Sequence, residues 1–301
     1  MNQTSRTSEI PQIVVIILTF NQRDKTLECL SYLLPSPKSF FQVLLWDNGS
    51  DDGTVEAVKV AYPGVSVHSH PTNLGVAGGR NAAADLALHN LHATHMLFLD
   101  NDIQVEPGFV DALFAPFSNN PQVGQTQAKL RFMHARDRLN DGGGARINFA
   151  LWRIKPVGYN EVDRGQHDKE KKCISCGGAM MVRADIFKQL GGFDPLFGPF
   201  GPEDLDFSLR LQKAGYQALY IPQAVGYHEV SHTYGKGYTE DYAKHKSRHW
   251  LLFMRRHASP WQKLAFYMFG APYLAVNVAL REGRKGNWGA IRGLLRGVVK
   301  P

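Results

Sequence analysis

The first 115 residues alternate short apolar runs with segments of helical spacing, and this alternation constrains the fold more than any other feature. The apolar runs are Ile13–Leu18, Val43–Trp46, Val65–His68 and Met96–Leu99. Between them, apolar residues recur at helical intervals in Asp24–Leu34, Thr54–Val60 and Arg80–Leu88. Strands that alternate with helices form βαβ units, and continuous apolar runs are typical of parallel strands covered on both faces. The pattern therefore predicts an α/β fold with a mainly parallel sheet.

Polar residues follow each of the four predicted strands. They are Thr19 to Asn21, Asp47 to Thr54, Asn73 to Asn81, and Asp100-Asn101-Asp102. Ligands bind at the carboxyl ends of the strands in sheets of this kind. Turn chemistry explains single Asp, Asn and Gly residues, but it does not explain four successive strand ends rich in acids and amides. We therefore predict a polar ligand site at this edge of the sheet.

The second half of the chain is less periodic. Residues 118–175 show no clear periodicity, and Gly142–Gly144 and the polar run Asp163–Lys172 within them suggest loops or a mobile excursion. Further predicted elements are a strand at Gly177–Val182, helices at Ala184–Leu190 and Asp204–Ala214, and short strands at Ala218–Ile221 and Ala224–Tyr227.

Asp100 and Asp102 lie at the end of an apolar run with one residue between them. In an extended segment, side chains two residues apart point the same way, so both carboxylates can face one ligand. Oxygen donors of this kind suit Mg²⁺ or Mn²⁺, which also contact substrate phosphates. A solvated turn explains most D-x-D sequences, but the position at a strand end favours a metal site.

His228 begins a His-Glu-Val-Ser-His sequence that matches the zinc-protease pattern H-E-x-x-H. That motif requires a helix, which places both histidines on one face. Pro222 and Gly226 before it, and Gly235 and Gly237 after it, disfavour a helix. We therefore interpret His228 as a single ligand at the end of a short strand.

Three acids, Glu203, Asp204 and Asp206, open a predicted helix. The helix dipole favours acids in a first turn, and Asp206 has the i,i+4 spacing for an ion pair with Arg210. Glu203 and Asp204 precede this pair, and either one can face a cleft and act as a general base.

Other motifs exclude several classes of site. Cys173 and Cys176 form an isolated C-x-x-C that precedes a predicted strand, which favours packed thiols over a zinc or redox centre. The sequence contains neither G-x-G-x-x-G nor G-x-x-x-x-G-K-[ST], so it predicts neither a Rossmann dehydrogenase nor a P-loop enzyme. Three cysteines and a polar beginning, MNQTSRTSE, predict a cytoplasmic protein.

Taken together, these segments resemble the family 2 inverting glycosyltransferases of GT-A fold. The matching segments, in collinear order from about Ile13 to His228, are LTFNQRD (18–24), DNGSDDGT (47–54), NLGVAGGRN (73–81), LDND (99–102), CGGAMMVR (176–183), GGFDPLFGPFGPEDLDFSLRLQKAGY (191–216) and IPQAVGYH (221–228). The subgroup that the chain resembles most is the rhamnosyltransferase-like enzymes of bacterial envelope polysaccharide synthesis.

The resemblance implies a nucleotide-sugar donor such as a UDP- or dTDP-sugar, a saccharide or lipid-diphosphate-linked acceptor, and Mg²⁺ or Mn²⁺. It assigns donor binding to Thr19, Asn21, Asp47, Asn73, Arg80 and Asp100. It assigns the metal to Asp102 and His228, with Asp100 beside them. Asp204 matches the family's catalytic base, and Glu203 would lie on the acceptor side. The chain departs from some members at Asn101, where they carry a third Asp.

The C-terminal region differs sharply in charge from the rest of the chain. Residues 244–301 contain twelve Lys and Arg and one acid, Glu282, whereas the remainder contains 22 basic and 26 acidic residues. Within this region Leu264–Leu280 is uncharged, and its 17 residues reach only the lower limit for a bilayer span, about 17–25 residues. Basic residues on both sides favour a helix in the interface of an anionic membrane over a buried core helix.

These features predict a polar N-terminal tail (1–10), a catalytic domain (11–243) and a basic, partly apolar helical region (244–301). We expect a hexosyltransferase that is cytoplasmic and peripheral at the inner face of the plasma membrane. Two alternatives stay open: a protein that binds sugar nucleotides without transfer, and a protein that binds nucleic acid through its basic tail. The tail has no recognised nucleic-acid-binding motif, so we expect no nucleic acid partner.

Overall fold

The computed structural model describes residues 12–35, 41–198, 201–230 and 239–299, so the polar N-terminal tail lies outside it. The first half contains β1 (Ile13–Thr19), α1 (Arg23–Leu33), β2 (Phe41–Asp47), α2 (Thr54–Ala61), β3 (Ser66–Ser69), α3 (Gly75–His89), β4 (His95–Asp100), β5 (Ile103–Val105) and α4 (Phe109–Asn119). The second half contains β6 (Val123–Phe132), β7 (Ala135–Asp141), β8 (Ala145–Asn148), β9 (Arg153–Pro156), β10 (Lys171–Lys172), β11 (Ala179–Arg183), α5 (Ala184–Gln189), α6 (Glu203–Lys213) and β12 (Gln217–His228). The chain then forms α7 (Glu240–His257), α8 (Pro260–Ala265), a π-helical turn (Phe266–Gly270), α9 (Ala271–Arg284) and α10 (Trp288–Val299).

The central sheet has the strand order β10-β12-β6-β11-β4-β1-β2-β3. β1 pairs in parallel with both β2 and β4, and β2 pairs in parallel with β3. Thr19 lies opposite Asp47, and Leu18 lies opposite Asp100. The predicted mainly parallel α/β sheet is confirmed, and its register aligns three polar strand ends at one edge.

Both faces of the central strands are buried, which explains their continuous apolar runs. In β1, Val15 and Ile17 belong to one core cluster, and Val14 and Ile16 belong to the cluster on the opposite face. Side chains of successive residues point to opposite faces of a strand, so a strand covered by helices on both sides needs apolar residues throughout.

Helix α3 begins at Gly75, five residues before the predicted helix, so the glycine-rich segment that precedes Arg80 is itself helical. A Cβ on Gly79 would lie 2.6 Å from the Cδ1 atom of Leu18. The glycine therefore lets the helix approach β1 closely. The segment that the sequence favours as a loop is the first turn of a packed helix.

Residues 118–175, which show no clear periodicity, contain the strands β6 to β10, whereas Gly142–Gly144 and most of Asp163–Lys172 lie outside strands, as expected. β6 is almost wholly buried although it carries polar residues, including Gln125, Gln127 and Lys129. These side chains find polar partners within the fold: Gln127 Nε2 lies 3.1 Å from the carbonyl oxygen of Gly177, and Lys129 Nζ lies 2.6 Å from Asp163. The buried polar residues mask the hydrophobic pattern of a strand.

The elements after residue 175 differ from prediction at two points. Gly177 and Gly178 have φ angles of +81° and +73° and form a turn, so β11 begins at Ala179. The two predicted short strands form the single strand β12, which has a register shift between Ile221 and Val225. His228 ends this strand, as expected, and the second histidine of the H-E-x-x-H sequence, His232, lies outside the described residues.

The C-terminal helices begin within the predicted catalytic domain, because the proposed division at residues 243 and 244 falls inside α7. Near the end of this helix, Arg256 Nη1 and His257 Nε2 each lie 2.8 Å from Asp206 Oδ1. Arg210 Nε lies 2.7 Å from the other oxygen of Asp206, which confirms the predicted i,i+4 pair. Helix α7 is therefore bound directly to helix α6 of the catalytic domain.

Candidate active site

Two carboxylates and an imidazole meet where β4 and β12 end. The ligand atoms of Asp100, Asp102 and His228 all lie within 4.8 Å of one another, and His228 Nε2 lies 3.2 Å from Asp102 Oδ1. β5 pairs antiparallel with β12, with Ile103 opposite His228, and this register carries the neighbouring Asp102 to the histidine. Burial lowers the pKa of His228, but the hydrogen bond and charge of Asp102 outweigh it and raise the pKa above its usual value.

The two acids converge through a turn and not through the extended segment that the sequence predicts. β4 ends at Asp100, and residues 101 and 102 form the turn. Asn101 points inward, where its Nδ2 atom donates to Thr19 Oγ1 at 3.2 Å and to Thr26 Oγ1 at 3.0 Å. Thr19 is 2% exposed, so its side chain bonds to the turn and has almost no surface for a ligand.

Arg80 connects this acidic cluster with the start of α6. Its Nη2 atom lies 2.6 Å from Asp100 Oδ1, and its Nη1 atom lies 3.3 Å from Glu203 Oε1. The guanidinium is nearly buried and also lies over the ring of Phe193. Both acids raise the pKa of Arg80 against the opposing effect of burial, so the cation is held between the two parts of the site.

Asp204 lies over the turn that precedes β11. A Cβ on Gly177 would lie 2.4 Å from Asp204 Oδ2, so only a glycine leaves room for this carboxylate. Its Oδ1 atom accepts a hydrogen bond of 2.7 Å from the Leu205 backbone. Burial, together with the negative charge of Glu203, raises the pKa of Asp204 to about 7. A carboxyl with this pKa can take up a proton near neutral pH, as a general base must.

Glu203 differs from its neighbour in both burial and partner. It is 6% exposed, and its carboxylate contacts Arg80, whereas Asp204 is half-buried. Burial raises the pKa of Glu203, and the charge of Arg80 opposes this rise. Of the two acids that the sequence leaves open as a base, only Glu203 forms an ion pair with an arginine among the residues that the structure describes.

The ends of β1 and β2 form a second polar cluster. Asp47 is buried, and its carboxylate accepts from Ser69 Oγ at 2.7 Å and from the Ser50 hydroxyl. Asn21, with a φ of +50°, accepts from the Asp51 backbone at 2.9 Å. An open depression of about 360 Å³ lies beside this cluster, lined by Asn21, Gln22, Arg23, Asp24, Lys25 and Asp52.

Asn73 joins the end of β2 to the start of α3. Its Oδ1 atom accepts from Asn48 Nδ2 at 2.9 Å and from the Gly75 backbone at 2.8 Å. Asn73 is nevertheless exposed, so it remains accessible at the helix start. An exposed amide next to the N-terminus of a long helix suits contact with an anionic group.

Residues that the sequence did not single out also contribute. Asn140 on β7 contacts His228, and Lys25 on α1 forms an ion pair of 3.0 Å with Glu229. Gly177 provides the space for Asp204. The sequence does not reveal Asn140, because it lies in a region without a clear periodicity. It does not reveal Gly177 either, because the contact of this glycine is with a helix that begins 26 positions later in the sequence.

The donor set of the acidic cluster fits a divalent cation. Carboxylate oxygens are the preferred ligands of Mg²⁺ and Mn²⁺, and Mn²⁺ also accepts imidazole nitrogen. Asp204 is not part of this cluster but lies over Gly177, and the carbonyl of the adjacent Gly178 accepts from the Asp100 backbone at 2.8 Å. The arrangement therefore combines a candidate site for a cation and bound phosphates with a separate carboxylate suited to proton transfer.

Comparison with protein families places most of these residues within known sequence patterns. The model of the family described as Glycosyl transferase family 2 matches residues 14–191. The model described as the N-terminal domain of galactosyltransferase matches residues 168–235, which include Asp204 and His228.

Curated proteins with similar sequences include enzymes of cell-envelope synthesis. An N-acetylglucosaminyl-diphospho-decaprenol L-rhamnosyltransferase of Mycobacterium tuberculosis is 28% identical over 301 aligned residues, which cover 93% of this chain and 96% of that protein. An O-antigen biosynthesis protein, RfbC of Myxococcus xanthus, is 29% identical over 72% of this chain and 17% of its own length.

Solved structures share the fold at low sequence identity. GalNAc-T7, solved with UDP, GalNAc and Mn²⁺, superposes with a TM-score of 0.59 at 18% identity, covering 72% of this chain and 43% of that longer one. The mannosyltransferase PcManGT from Pyrobaculum calidifontis, in complex with GDP-Man and Mn²⁺, has a TM-score of 0.55 at 17% identity and covers 97% of this chain and 87% of its own. These likenesses confirm the predicted GT-A fold.

Proposed function

Because the chain belongs to glycosyl transferase family 2, we propose that it is an inverting, metal-dependent hexosyltransferase that acts in the synthesis of a cell-envelope polysaccharide. Family membership identifies a glycosyltransferase and favours transfer over donor binding alone or nucleic-acid binding. The donor would be a UDP- or dTDP-sugar, including dTDP-rhamnose, and the acceptor a saccharide linked to a lipid diphosphate. The acceptor class is that of the Mycobacterium tuberculosis relative. The observation that supports this proposal most is the joint placement of the acidic cluster, Arg80 and Asp204 at one sheet edge.

We propose that the donor lies along the ends of β1, β2 and β4. Asn21 and Asp47 would hold the base and ribose, and Thr19 would contribute through its backbone. Asn73 and Arg80 would face the diphosphate and sugar. Asp100, Asp102 and His228 would hold Mg²⁺ or Mn²⁺, which supplies positive charge that stabilises the departing diphosphate.

Asp204 would act as the catalytic base. It takes the proton from the acceptor hydroxyl while the oxygen of that hydroxyl forms a bond to the anomeric carbon and the bond to the diphosphate breaks. A single displacement inverts the configuration and needs one base, unlike a retaining reaction, in which a second carboxylate acts as the nucleophile. Glu203, on the acceptor side, would hold Arg80 in place.

A donor panel tests the proposed function. The full chain is incubated with UDP-, dTDP- and GDP-sugars, Mg²⁺ or Mn²⁺, and a membrane lipid extract, and the released nucleotide is measured. We expect acceptor-dependent release from a UDP- or dTDP-sugar and the opposite anomeric configuration in the product. A lack of release from every donor, or a product with retained configuration, contradicts the proposal.

The raised pKa of Asp204 predicts an acid limb in the pH profile. A base must be deprotonated to act, so kcat/KM should rise about tenfold per pH unit below pH 7 and level off above it. Profiles measured at saturating donor and metal, with acceptor varied, check this expectation. A rate that stays constant from pH 5 to 8 rules out this carboxyl as the base.

We also propose that the protein is cytoplasmic and peripheral at the inner face of the plasma membrane, bound through its C-terminal helices. Among the described residues, Pro260–Arg284 is the one helix long and apolar enough to cross a bilayer, yet only 11% of its apolar window is buried. Its exposed apolar residues are Trp261, Leu264, Tyr267, Met268, Phe269, Tyr273, Val276 and Leu280, and α10 adds Trp288, Leu295 and Val298. The exposed basic residues beside them are Arg281, Arg284, Lys285, Arg292 and Arg296.

This helix is held against α7 near its middle, and the helix that follows it also packs on α7, which favours an orientation in the membrane plane. Ala271 and Leu274 pack on the apolar cluster that contains Leu251 and Met254 of α7. The next helix, α10, also lies along α7, where the Ser247 hydroxyl donates to the Leu294 carbonyl. A span of about 30 Å would place the two ends on opposite sides of the bilayer and separate these helices. An apolar face with basic flanks instead suits the interface of an anionic leaflet.

Vesicle flotation tests this surface with exposed substitutions. The variant Trp261→Ser/Phe269→Ser/Trp288→Ser should lose flotation with phosphatidylglycerol-containing vesicles, whereas the unaltered chain floats with them and is released by alkaline carbonate. Val60→Ser, at an exposed position on α2, is the matched control and should float normally. Undiminished flotation of the triple variant contradicts the proposed surface, and resistance of the unaltered chain to carbonate contradicts the in-plane orientation.

A further inference from the structure

Asn140, the residue before the last of β7, contacts the imidazole of His228 on the side away from the acids. Its Oδ1 atom lies 3.0 Å from His228 Nδ1, while Nε2 of the same ring lies 3.2 Å from Asp102 Oδ1. β6 lies between the two strands, since it pairs with β7 on one side and β12 on the other. The side chain thus reaches the histidine from a strand in a region where the sequence shows no clear periodicity.

The hydrogen bond defines where the ring carries its proton. An amide oxygen only accepts, so Nδ1 must donate to it. In the neutral ring the lone pair is then on Nε2, which faces Asp102. Histidines that bind metals commonly donate their other ring N–H to a carbonyl or carboxylate in this way, which fixes the tautomer and the ring orientation.

The backbone next to Asn140 is held firmly by its neighbour. Asp141 is 2% exposed and accepts from the backbone N–H groups of Gly143 and Gly144, at 2.8 Å and 2.6 Å, and from the Cys176 thiol at 2.9 Å. A side chain on such an anchored strand end can orient another residue without large losses of conformational freedom. The geometry is therefore that of a preformed support for the ring.

We propose that Asn140 is a positioning residue that sets the affinity of the acidic cluster for its divalent cation, by keeping His228 Nε2 turned toward Asp100 and Asp102. This inference rests on the proposed metal-dependent function. Asn140 does not contact the cation itself. Loss of the Asn140 side chain leaves the three proposed metal ligands in the chain, but it allows the His228 ring to rotate or to carry its proton on Nε2.

The test is a titration of the full-length protein with Mn²⁺, in which the free ion is measured by electron paramagnetic resonance. Asn140→Ala should raise the Kd for Mn²⁺ about 10- to 100-fold, the usual effect of losing such a partner. Asn140→Asp keeps an acceptor and should bind Mn²⁺ at least as tightly as the unaltered chain. Asn148→Ala is the control, because the Asn148 side chain on β8 bonds only to the Leu151 backbone in the described hydrogen bonds.

Nitrogen-15 spectra of the histidines give a second readout, which a purely structural role would not change. At a pH where the imidazole is neutral, the proton of His228 should be on Nδ1 in the unaltered chain and distributed over both nitrogens in Asn140→Ala. If Asn140→Ala does not fold, Asn140→Thr, which suits a strand, should show the same loss of affinity.

The outcomes separate this inference from the proposed function. An unaltered chain that binds Mn²⁺, together with an Asn140→Ala variant of the same Kd, overturns the positioning role alone. A neutral His228 ring that carries its proton on Nε2 in the unaltered chain also overturns it. An unaltered chain that binds no Mn²⁺ overturns both the metal site and the positioning role.

Discussion

We expect Asp204→Asn to lower the rate of sugar transfer by two to four orders of magnitude and to leave donor binding intact. General base catalysis contributes roughly 10²- to 10⁴-fold, and an amide cannot take up the acceptor proton. The substitution preserves size, so the carboxamide still fits above Gly177, and none of the residues proposed to bind the donor is changed. The rate is measured as nucleotide release with acceptor, and donor binding is measured by calorimetry.

Two variants control this expectation. Asp185→Asn changes an exposed acid on α5 that pairs only with Arg183 among the described ion pairs, and it should keep full activity. Glu203→Gln removes the charge of one of the two acidic partners of Arg80, leaves Asp100 as the other, and should weaken donor binding more than Asp204→Asn does. An Asp204→Asn variant with a tenth or more of normal turnover refutes the assignment, and a Glu203→Gln variant that loses only kcat transfers the base to Glu203.

Asp102→Asn should abolish metal-dependent transfer. The substitution removes one of two carboxylates from the cluster and leaves Asp100, which is already bonded to Arg80. Loss of the cation removes several kcal/mol of stabilisation from the departing diphosphate, which corresponds to a rate loss on the order of 10³-fold. Mn²⁺ titration of activity, after removal of bound metal with EDTA, measures the effect.

The neighbouring amide provides a matched comparison for this prediction. Asn101 lies in the same turn, but it bonds inward to Thr19 and Thr26. Asn101→Ala should therefore lower the stability of the fold while the metal requirement of the remaining activity stays the same. Metal titration curves that are identical for Asp102→Asn and the unaltered chain, or full activity in EDTA, contradict the metal site.

The first half of the fold could be predicted because its strands and helices carry clean periodicities. Each apolar run in β1, β2 and β4 needs only its own composition to be recognised. The same holds for the polar strand ends, since the parallel register brings Thr19, Asp47 and Asp100 to one edge. Local signals therefore located one side of the site.

The rest depends on contacts between residues far apart in the sequence. Gln127 and Lys129 are polar, so the sequence around them does not predict a buried strand. They can be buried because Gly177 and Asp163 supply polar partners. β6 and the adjacent β7 were missed for this reason, and Asn140 with them. Helix α3 begins earlier than the sequence predicts. Glycine often ends a helix, but Gly79 lies inside this one and permits close packing on Leu18.

Helix α6 has consequences for how such an enzyme can evolve. Its first turn presents Asp204 to the site, and two residues later Asp206 is bonded to Arg256 and His257 of α7. A chain that exchanged its C-terminal helices for those of a relative would leave the buried carboxylate of Asp206 without two of its partners, on the same helix as the proposed base. The C-terminal region is therefore not a detachable module, and we expect a lineage in which this region diverges to change its exposed side chains while it retains Arg256 and His257.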